Sequence, residues 1–249
     1  MSRAVLITGV AGGIGAATAK LFARERWQVI GIDCCAPTGD IPLARFIHAD
    51  LGDPAVFEQL FAEVKEAAGH LDALVNNAAV QVCKRLIETT LDEWDTLMNV
   101  NLRATFLTMK HAHPLLRQPG AAVVNIGSVH ALATSMSITA YAASKGGVAA
   151  LTRAAALEFA ASGIRVNGIN PGAVDTPMLE SGLRRGDLVG SGTAELRRRL
   201  GNATPLGRVG LPEEIAKAVL FLADAEMSPF ITGQFITVDG GALARLSTE

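Results

Sequence analysis

Short apolar runs alternate with longer helical patterns along the chain, and this alternation constrains the fold more than any other feature of the sequence. The runs have the length of β-strands: AVLIT, WQVIGI, ARFIHA, LDALVNN, AAVVNIG and IRVNGI. Because they are almost continuously apolar, they predict strands buried on both faces, as in parallel sheets covered by helices. The chain is therefore predicted to adopt an α/β fold with a doubly wound parallel sheet.

Helical patterns fill the spaces between these strands. They lie at residues 16–26, 54–68, 91–116 and 140–161, and Pro212 opens a last helix before the strand GQFITVDGG. A chain of 249 residues that is 49% hydrophobic can bury one large core, and it contains no internal repeat or linker. Residues 1–249 are therefore predicted to form a single domain.

Charge and composition exclude several classes of partner. The formal net charge is -2 and no long basic run is present, so we expect no nucleic acid and no anionic membrane surface as partner. No apolar run reaches the roughly 18 residues of a membrane span, and AVLITG follows the N-terminus without a signal peptide. Cys34, Cys35 and Cys83 form no disulfide framework, and the five histidines form no metal pattern. We expect a cytoplasmic protein that acts on a small molecule.

A glycine cluster, TGVAGGIG, lies between the first strand and the first helix. The glycines at positions 9, 13 and 15 allow a tight turn and close approach of the backbone to a pyrophosphate, and the following helix supplies free N–H groups. Gly9, Gly13, Ile14 and Gly15 are therefore predicted to bind a dinucleotide in a Rossmann-like sheet.

The acidic residue after the second strand bears on the choice of dinucleotide. Asp33 lies about 20 residues past the glycine turn, where a carboxylate accepts hydrogen bonds from the ribose hydroxyls. Its charge repels a 2′-phosphate, and Cys34 rather than Arg or Lys follows it. The sequence predicts NAD as cofactor in preference to NADP.

The stretch YAASK places Tyr141 and Lys145 four residues apart, on one face of a helix. A phenol has a reference pKa near 10, and a cation about 4 Å away stabilises the phenolate enough to make it a usable base. Ser128 follows the strand AAVVNIG, at the sheet edge where open α/β folds bind ligands. These residues can together remove a proton from an alcohol.

The motifs TGVAGGIG, NNAA, YAASK and NPG together resemble those of the short-chain dehydrogenase/reductase family, and the resemblance covers essentially the whole chain. It implies reversible hydride transfer between a nicotinamide cofactor and a carbon that bears a hydroxyl or carbonyl. Tyr141 would be the general acid and base, Lys145 would hold the nicotinamide ribose, and Ser128 would polarise the substrate oxygen. Asn101, in MNVNL, matches the asparagine that holds a water in a proton relay.

The resemblance also extends the set of cofactor contacts. Asp50 and Leu51 would border the adenine, Asn77 would lie where the fourth strand meets the cofactor, and Val174 and Thr176 would contact the nicotinamide carboxamide. The family usually has NNAG where this chain has NNAA, so the extra methyl puts the shape of this loop in question. The predicted cofactor residues are Gly9, Gly13, Ile14, Gly15, Asp33, Asp50, Leu51, Asn77, Tyr141, Lys145, Val174 and Thr176.

Two polar residues are candidates for substrate contact. Gln81 and His130 resemble the glutamine and histidine with which 3-hydroxybutyrate dehydrogenases of the family grip a carboxylate. Those enzymes also use a lysine three residues before the tyrosine, where this chain has Ile138, so the clamp is incomplete. Polyols, sugars and other secondary alcohols stay open as substrates. His130 is equally well interpreted as a turn residue bonded to backbone.

The segment at about 175–208 lies where the family has a mobile substrate lid, which excludes water during reaction. Its arginines are Arg184, Arg185 and Arg197 to Arg199. They could meet an anionic substrate, but a solvated helix face is the preferred interpretation.

The Ala-rich helix that starts with YAASK permits close helix packing, and the family pairs this helix in dimers and tetramers, so we expect a homodimer or homotetramer. Two other functions stay open. One is an NADPH-dependent 3-oxoacyl-acyl-carrier-protein reductase of the same family, against which Asp33 argues. The other is a noncatalytic NAD-binding protein, against which the presence of all four catalytic residue types argues.

Overall fold

A parallel sheet of seven strands forms the centre of the computed structural model, which describes residues 2–37, 39–183 and 192–244. The strands are β1 (Ala4–Thr8), β2 (Gln28–Asp33), β3 (Arg45–His48), β4 (Ala73–Asn76), β5 (Ala122–Ile126), β6 (Arg165–Pro171) and β7 (Phe235–Val238). Their order in the sheet is β3-β2-β1-β4-β5-β6-β7, and every neighbouring pair is parallel. The order reverses between β1 and β4, which opens a crevice at the carboxyl ends of these strands.

Eight α-helices lie in the described ranges, and they cover both faces of the sheet. They are α1 (Gly13–Arg24), α2 (Phe57–Ala68), α3 (Leu91–Met98), α4 (Ala104–Ala112), α5 (Thr139–Ala160), α6 (Pro177–Leu183), α7 (Thr193–Ala203) and α8 (Pro212–Ala223). Helices α1 and α8 pack on one face, whereas α2, α4 and α5 pack on the other. The predicted doubly wound α/β sheet is therefore confirmed. None of the described helices is both long and apolar enough to cross a membrane.

Alternate side chains of each strand enter two separate hydrophobic layers. Leu6 of β1 packs in one layer with Phe57 of α2, while its neighbour Ile7 packs in the other with Phe22 of α1 and Val219 of α8. Each of these side chains is almost fully buried, and such burial contributes about 1.5–3 kcal/mol per side chain. The layers hold the strands rigidly, so the loops at their carboxyl ends start from fixed positions.

The helical stretch predicted at residues 91–116 changes its winding in the middle. Thr90 caps α3 in a capping box with Glu93, and α3 ends at Met98. Residues Asn99–Arg103 then form a π-helical turn before α4 begins. Such turns carry an extra residue and often occur at functional sites. Here the turn buries Asn101, which is 1% exposed.

Candidate active site

The glycine turn between β1 and α1 has a backbone conformation that favours glycine. Gly9 and Gly13 have φ angles of +73° and +54°, in the left-handed region that costs side-chain-bearing residues energy. A Cβ at Gly9 would lie 2.7 Å from Nδ2 of Asn77, and a Cβ at Gly15 would overlap the carbonyl oxygen of Gly9. Helix α1 starts here without a side-chain cap at Gly12. This cradle fits the close approach of a pyrophosphate to backbone N–H groups.

Asn77 fastens the glycine turn to the end of β4. Its Nδ2 donates to the carbonyl oxygens of Thr8 at 3.0 Å and of Gly9 at 2.9 Å. Its backbone N–H donates to the hydroxyl of Thr8 at 3.0 Å, and the N–H of Ala78 donates to the same hydroxyl at 3.0 Å. Asn77 therefore lies against the predicted cofactor turn, and it fixes the turn relative to the sheet.

Asp33 ends β2 beside the glycine turn. Its carboxylate accepts hydrogen bonds from the backbone N–H of Ala11 at 2.8 Å and of Cys35 at 3.0 Å. A carboxylate has about four lone-pair sites, so these two bonds leave capacity for ribose hydroxyls. Burial, the hydrogen bond to Cys35 and the charge of Asp33 raise the pKa of Cys34 to about 11. The thiol of Cys34 is thus neutral at pH 7 and brings no charge to this position.

The other two residues predicted on the adenine side follow β3. Leu51 is buried in the hydrophobic layer that contains Phe57, and Asp50 accepts a hydrogen bond from the N–H of Gly52 at 2.8 Å. The carbonyl oxygen of Gly52 accepts a bond from Arg103 at 2.5 Å. These contacts shape a firm turn directly beyond β3, next to the end of β2.

The residues after β6 approach the glycine turn from the other side. Val174 is buried and pairs in a short bridge with Gly210. The hydroxyl of Thr176 donates to the carbonyl oxygen of Val174 and accepts from the N–H of Leu179, both at 3.2 Å. Its methyl lies 3.2 Å from the position of a Cβ on Gly13. The predicted cofactor residues that follow β1, β4 and β6 therefore lie next to one another, and Ile14 at the start of α1 packs against the hydrophobic layer that contains Ile7.

Ser128 and Tyr141 form a hydrogen-bonded pair beyond the end of β5. The N–H of Ser128 donates to Oδ1 of Asn170 at 3.1 Å, and its hydroxyl accepts from the N–H of His130 at 3.1 Å. Tyr141 lies in the first turn of α5 and is 8% exposed. Burial raises the pKa of Tyr141 to about 12, the bond with Ser128 acts in the opposite direction, and Cys83 raises it further. The phenol alone is therefore a poor base at neutral pH.

Lys145 lies one helical turn after Tyr141 and is buried. Its Nζ donates to the carbonyl oxygen of Ile126 at 2.7 Å and lies 5.6 Å from the centre of the Tyr141 ring. Burial lowers the pKa of Lys145 to about 8. An ammonium at this distance favours the phenolate form of a phenol, so the structure brings the predicted base and the predicted activating charge close together.

Asn101 joins the π-helical turn to the loop after β4 and to α5. Its Oδ1 accepts from the N–H of Val80 at 2.8 Å, and its Nδ2 donates to the carbonyl oxygen of Val80 at 2.9 Å and to the hydroxyl of Ser144 at 3.1 Å. The carbonyl oxygen of Asn101 accepts from Thr105 at 2.9 Å. This clamp on the loop is a structural role that the sequence did not reveal. The relay water assigned to Asn101 stays a prediction.

The two candidate substrate residues have different surroundings. Nε2 of Gln81 donates to the carbonyl oxygen of Met178 in α6 at 2.5 Å. The ring of His130 stands edge-on to that of Tyr141, with centroids 6.0 Å apart, and its Nδ1 shares a hydrogen bond with the hydroxyl of Thr134 at 3.1 Å. His130 thus lies beside the phenol, whereas the amide of Gln81 fastens its loop to α6.

The arginines of the predicted lid have carboxylate partners wherever they are described. Arg197 forms an ion pair with Asp175, and Arg198 and Arg199 pair with Glu195 at 2.8 and 3.0 Å. Hydrogen bonds from Arg198 and Arg199 lower the pKa of Glu195 to about 2. The first two arginines of the predicted lid, Arg184 and Arg185, lie outside the described residues.

Sequence reasoning missed a buried polar chain behind the site. Nδ2 of Asn76 donates to Oδ1 of Asn125 at 2.8 Å, and Nδ2 of Asn125 donates to the hydroxyl of Thr152 at 2.8 Å. The hydroxyl of Thr108 donates to Oδ1 of Asn76 at 2.6 Å. An asparagine near the end of each of two apolar strands was the available signal. Such satisfied networks hold β4, β5, α4 and α5 in one arrangement.

Comparison with known proteins gives a consistent result. The family model described as Enoyl-(Acyl carrier protein) reductase matches residues 9–242. Meso-2,3-butanediol dehydrogenase of Serratia marcescens is 34% identical over 98% of this chain and 95% of its own. The 3-oxoacyl-acyl-carrier-protein reductase FabG of Thermotoga maritima is 36% identical over 96% of this chain and 97% of its own.

A solved structure agrees with the fold over nearly the whole chain. The ligand-free aldohexose dehydrogenase of Thermoplasma acidophilum has a TM-score of 0.92 and 31% identity, and the match covers 99% of this chain and 96% of that one. Both the sequence and the three-dimensional arrangement are therefore those of one group of oxidoreductases.

Proposed function

Because the chain belongs to the short-chain dehydrogenase/reductase family, we propose that it is an NAD-dependent dehydrogenase that interconverts a secondary alcohol and a ketone. Membership supports an oxidoreductase that acts on CH–OH groups. The observation that carries the proposal is the arrangement of Tyr141 between the hydroxyl of Ser128 and the ammonium of Lys145. Polyols, sugars and hydroxy acids are the first candidate substrates.

Tyr141 is the general acid and base of this proposal. In oxidation it takes the proton of the substrate hydroxyl, and in reduction it returns that proton to the substrate oxygen. The hydrogen bond with Ser128 favours the phenolate and opposes the effect of burial on the pKa of Tyr141. The ammonium of Lys145, 5.6 Å from the ring centre, would attract the phenolate charge. Ser128 donates to the substrate oxygen and so orients it toward Tyr141.

The geometry of the glycine cradle supports a bound dinucleotide, to which we assign the identity NAD. The backbone at Gly9, Gly13, Ile14 and Gly15 holds the pyrophosphate, and Asp33 holds the adenosine ribose. Asp50, Leu51, Asn77, Val174 and Thr176 complete the walls, and Tyr141 and Lys145 hold the nicotinamide ribose. When bound, NAD supplies the acceptor for the hydride that leaves the alcohol carbon.

Asn101 supports this site as a positioning residue. By fixing both backbone groups of Val80 it holds the loop that carries Gln81, and by bonding Ser144 it holds that loop against α5. We assign a water relay behind Lys145 to the same position. The segment at about 175–208 acts as the lid in this proposal, since α6 and α7 follow the cofactor contacts at Val174 and Thr176.

Assembly and location complete the proposal. Leu157, on the helix α5 that the family pairs, is an exposed apolar side chain, and so is Phe106 of α4. They support a homodimer or homotetramer. Three free cysteines, Cys34, Cys35 and Cys83, support a reducing compartment such as the cytoplasm.

The description of the family model and the FabG relative favour a second candidate, an NADPH-dependent 3-oxoacyl-acyl-carrier-protein reductase. Asp33 argues against it, because its carboxylate repels a 2′-phosphate. The third candidate, a noncatalytic NAD-binding protein, would not need Tyr141 to lie beside Ser128 and Lys145.

One assay separates these three candidates. The purified protein is given secondary alcohols, polyols, sugars and hydroxy acids with NAD or NADP, and acetoacetyl thioesters with NADH or NADPH. The proposal requires NADH formation from at least one alcohol. A preference for thioester and NADPH favours the reductase, whereas cofactor binding without any turnover favours the noncatalytic protein.

A further inference from the structure

The side chains that pack around Tyr141 form an apolar wall. Ile138, three residues before the phenol, is 2% exposed and packs in one cluster with Tyr141 and Leu97. Val82 and Cys83, from the loop after β4, and Met178, from α6, pack against this cluster with part of their surface accessible. A bound molecule that presents its hydroxyl to Tyr141 therefore meets aliphatic and sulfur atoms on this side.

The side-chain amide of Gln81, next to this wall, already forms a hydrogen bond. Nε2 of Gln81 donates to the carbonyl oxygen of Met178 at 2.5 Å, and a Cβ on Gly182 would lie 2.9 Å from the same nitrogen. Turning this amide toward a substrate carboxylate would leave the carbonyl of Met178 without that bond. The amide of Gln81 thus connects the loop after β4 to α6 through a hydrogen bond.

The described cations of the site also have other partners. Lys145 donates to the carbonyl oxygen of Ile126 and faces the Tyr141 ring, and Arg197 pairs with Asp175. His130 lies edge-on to Tyr141 and shares a hydrogen bond with Thr134. A carboxylate on the substrate would stand near the phenolate of Tyr141, and a second negative charge there disfavours ionisation of the base.

We propose that the site selects an uncharged secondary alcohol or ketone whose body beyond the reacting carbon is apolar, and that it discriminates against carboxylate-bearing analogues. This inference rests on the proposed function and narrows its substrate class. Cys83 and Met178, which keep part of their surface accessible, are the specificity-determining residues, and Ile138 packs against them. An apolar flank gains contact with them, whereas a carboxylate loses water there, and the described cations Lys145 and Arg197 already have other partners.

The first experiment compares substrates that differ only in charge. Wild-type kcat/KM is measured for acetoacetamide against acetoacetate, and for hydroxycyclohexanecarboxamide against hydroxycyclohexanecarboxylate. We expect the amide to be used about 30-fold better or more, which is ~2 kcal/mol at 1.36 kcal/mol per tenfold. Cyclohexanol against inositol tests the apolar flank, with cyclohexanol preferred. A carboxylate used as well as its amide, or inositol used as well as cyclohexanol, overturns the inference.

A binding measurement separates this inference from the proposed function. Cyclohexanecarboxamide and cyclohexanecarboxylate are titrated into the protein with bound NADH, and the change in NADH fluorescence is recorded. If no substrate is turned over, the proposed dehydrogenase function is wrong. The ratio of the affinities for cyclohexanecarboxamide and cyclohexanecarboxylate still determines the charge preference in that case. Tighter binding of the carboxylate contradicts the inference even when neutral alcohols are oxidised.

A charge placed in the wall provides the matched test. Ile138→Lys should shift the amide-to-carboxylate ratio toward the carboxylate by about tenfold or more, and Ile138→Met, which adds no charge, should leave the ratio unchanged. Since lysine at a buried position can prevent folding, Cys83→Lys places the same charge at a half-buried position. If neither folded lysine variant changes the ratio, these residues do not face the substrate and the inference fails.

Discussion

Nζ of Lys145 lies 5.6 Å from the centre of the Tyr141 ring, and burial displaces the pKa values of the two groups in opposite directions. The pKa of Tyr141 rises to about 12, whereas that of Lys145 falls to about 8. Both groups thus favour their neutral forms more than they would in water. Burying the ammonium of Lys145 is therefore energetically unfavourable. In the proposed mechanism, this charge stabilises the negative charge that Tyr141 acquires in catalysis.

The unfavourable burial of the Lys145 ammonium predicts that the free energy of unfolding depends on pH. Lys145 has a folded pKa below its unfolded value, so its neutral form favours folding above about pH 10.5, and that contribution is lost as pH falls through about 8. Lys145→Met removes the buried charge and should raise the free energy of unfolding of the cofactor-free protein by about 3 kcal/mol at pH 7. The gain should shrink between pH 8 and pH 10. Urea unfolding across this range measures it.

The control for this variant is Lys110→Met, which changes an exposed lysine on α4. It should alter neither the free energy of unfolding at pH 7 nor its slope with pH by more than about 0.5 kcal/mol. Equal behaviour of the two variants would mean that the amine of Lys145 is not desolvated.

The substitution Lys145→Met should impair catalysis, although it should stabilise the folded protein. Burial already raises the pKa of Tyr141 to about 12, and removal of the nearby ammonium should raise this pKa further. Lys145→Met should therefore move the alkaline rise of kcat for alcohol oxidation upward by at least about one pH unit and lower kcat at pH 8. The pH–rate profile of both proteins checks this, and an unchanged apparent pKa contradicts the coupling.

Cofactor preference should depend on two adjacent positions. Wild-type protein should bind NADH at least about tenfold more tightly than NADPH, because Asp33 repels a 2′-phosphate. The double change Asp33→Ser with Cys34→Arg should invert this order, since it removes the repulsion and adds a guanidinium. Cys34→Ser alone should keep the wild-type preference. Fluorescence titration measures all three proteins, and tighter NADPH binding by wild type contradicts the assignment.

Removing the hydrogen bonds of Asn101 to Val80 and Ser144 should destabilise the protein. Asn101→Leu keeps the volume but leaves the partly buried N–H and carbonyl of Val80 and the buried hydroxyl of Ser144 without these bonds. We expect the free energy of unfolding to fall by about 2–4 kcal/mol and kcat to fall with it. Asn99→Leu, in the same turn but less buried, should cost under about 1 kcal/mol. Thermal unfolding compares them, and equal losses refute the clamp.

The sequence predicted the architecture because the buried strands are short, apolar and regularly spaced. AVLIT became β1, AAVVNIG contains β5, and Pro212 opens α8 as expected. The first helix begins at Gly13 rather than near residue 16, because the glycine turn itself enters the helix. Periodicity alone could not reveal the π-helical turn, which depends on how Asn101 bonds across to Val80.

Within the site, local motifs predicted which residues meet but not what else they hold. Tyr141 and Lys145 share a helix face, and Ser128 reaches the phenol, as their spacing indicated. The bond from Gln81 to Met178 joins segments almost a hundred residues apart, and no local pattern encodes it. The ion pair between Arg197 and Asp175 depends in the same way on how α7 packs.

The measurement that tests the central claim most directly is NADH formation by wild-type protein and by Tyr141→Phe under identical conditions. The variant keeps the ring and the packing of α5 and loses only the hydroxyl. We predict unchanged NADH binding and a kcat lowered by about 10²–10⁴-fold on every alcohol that wild type oxidises. A variant that retains a large part of the wild-type kcat would show that Tyr141 is not the acid and base, and would contradict the account.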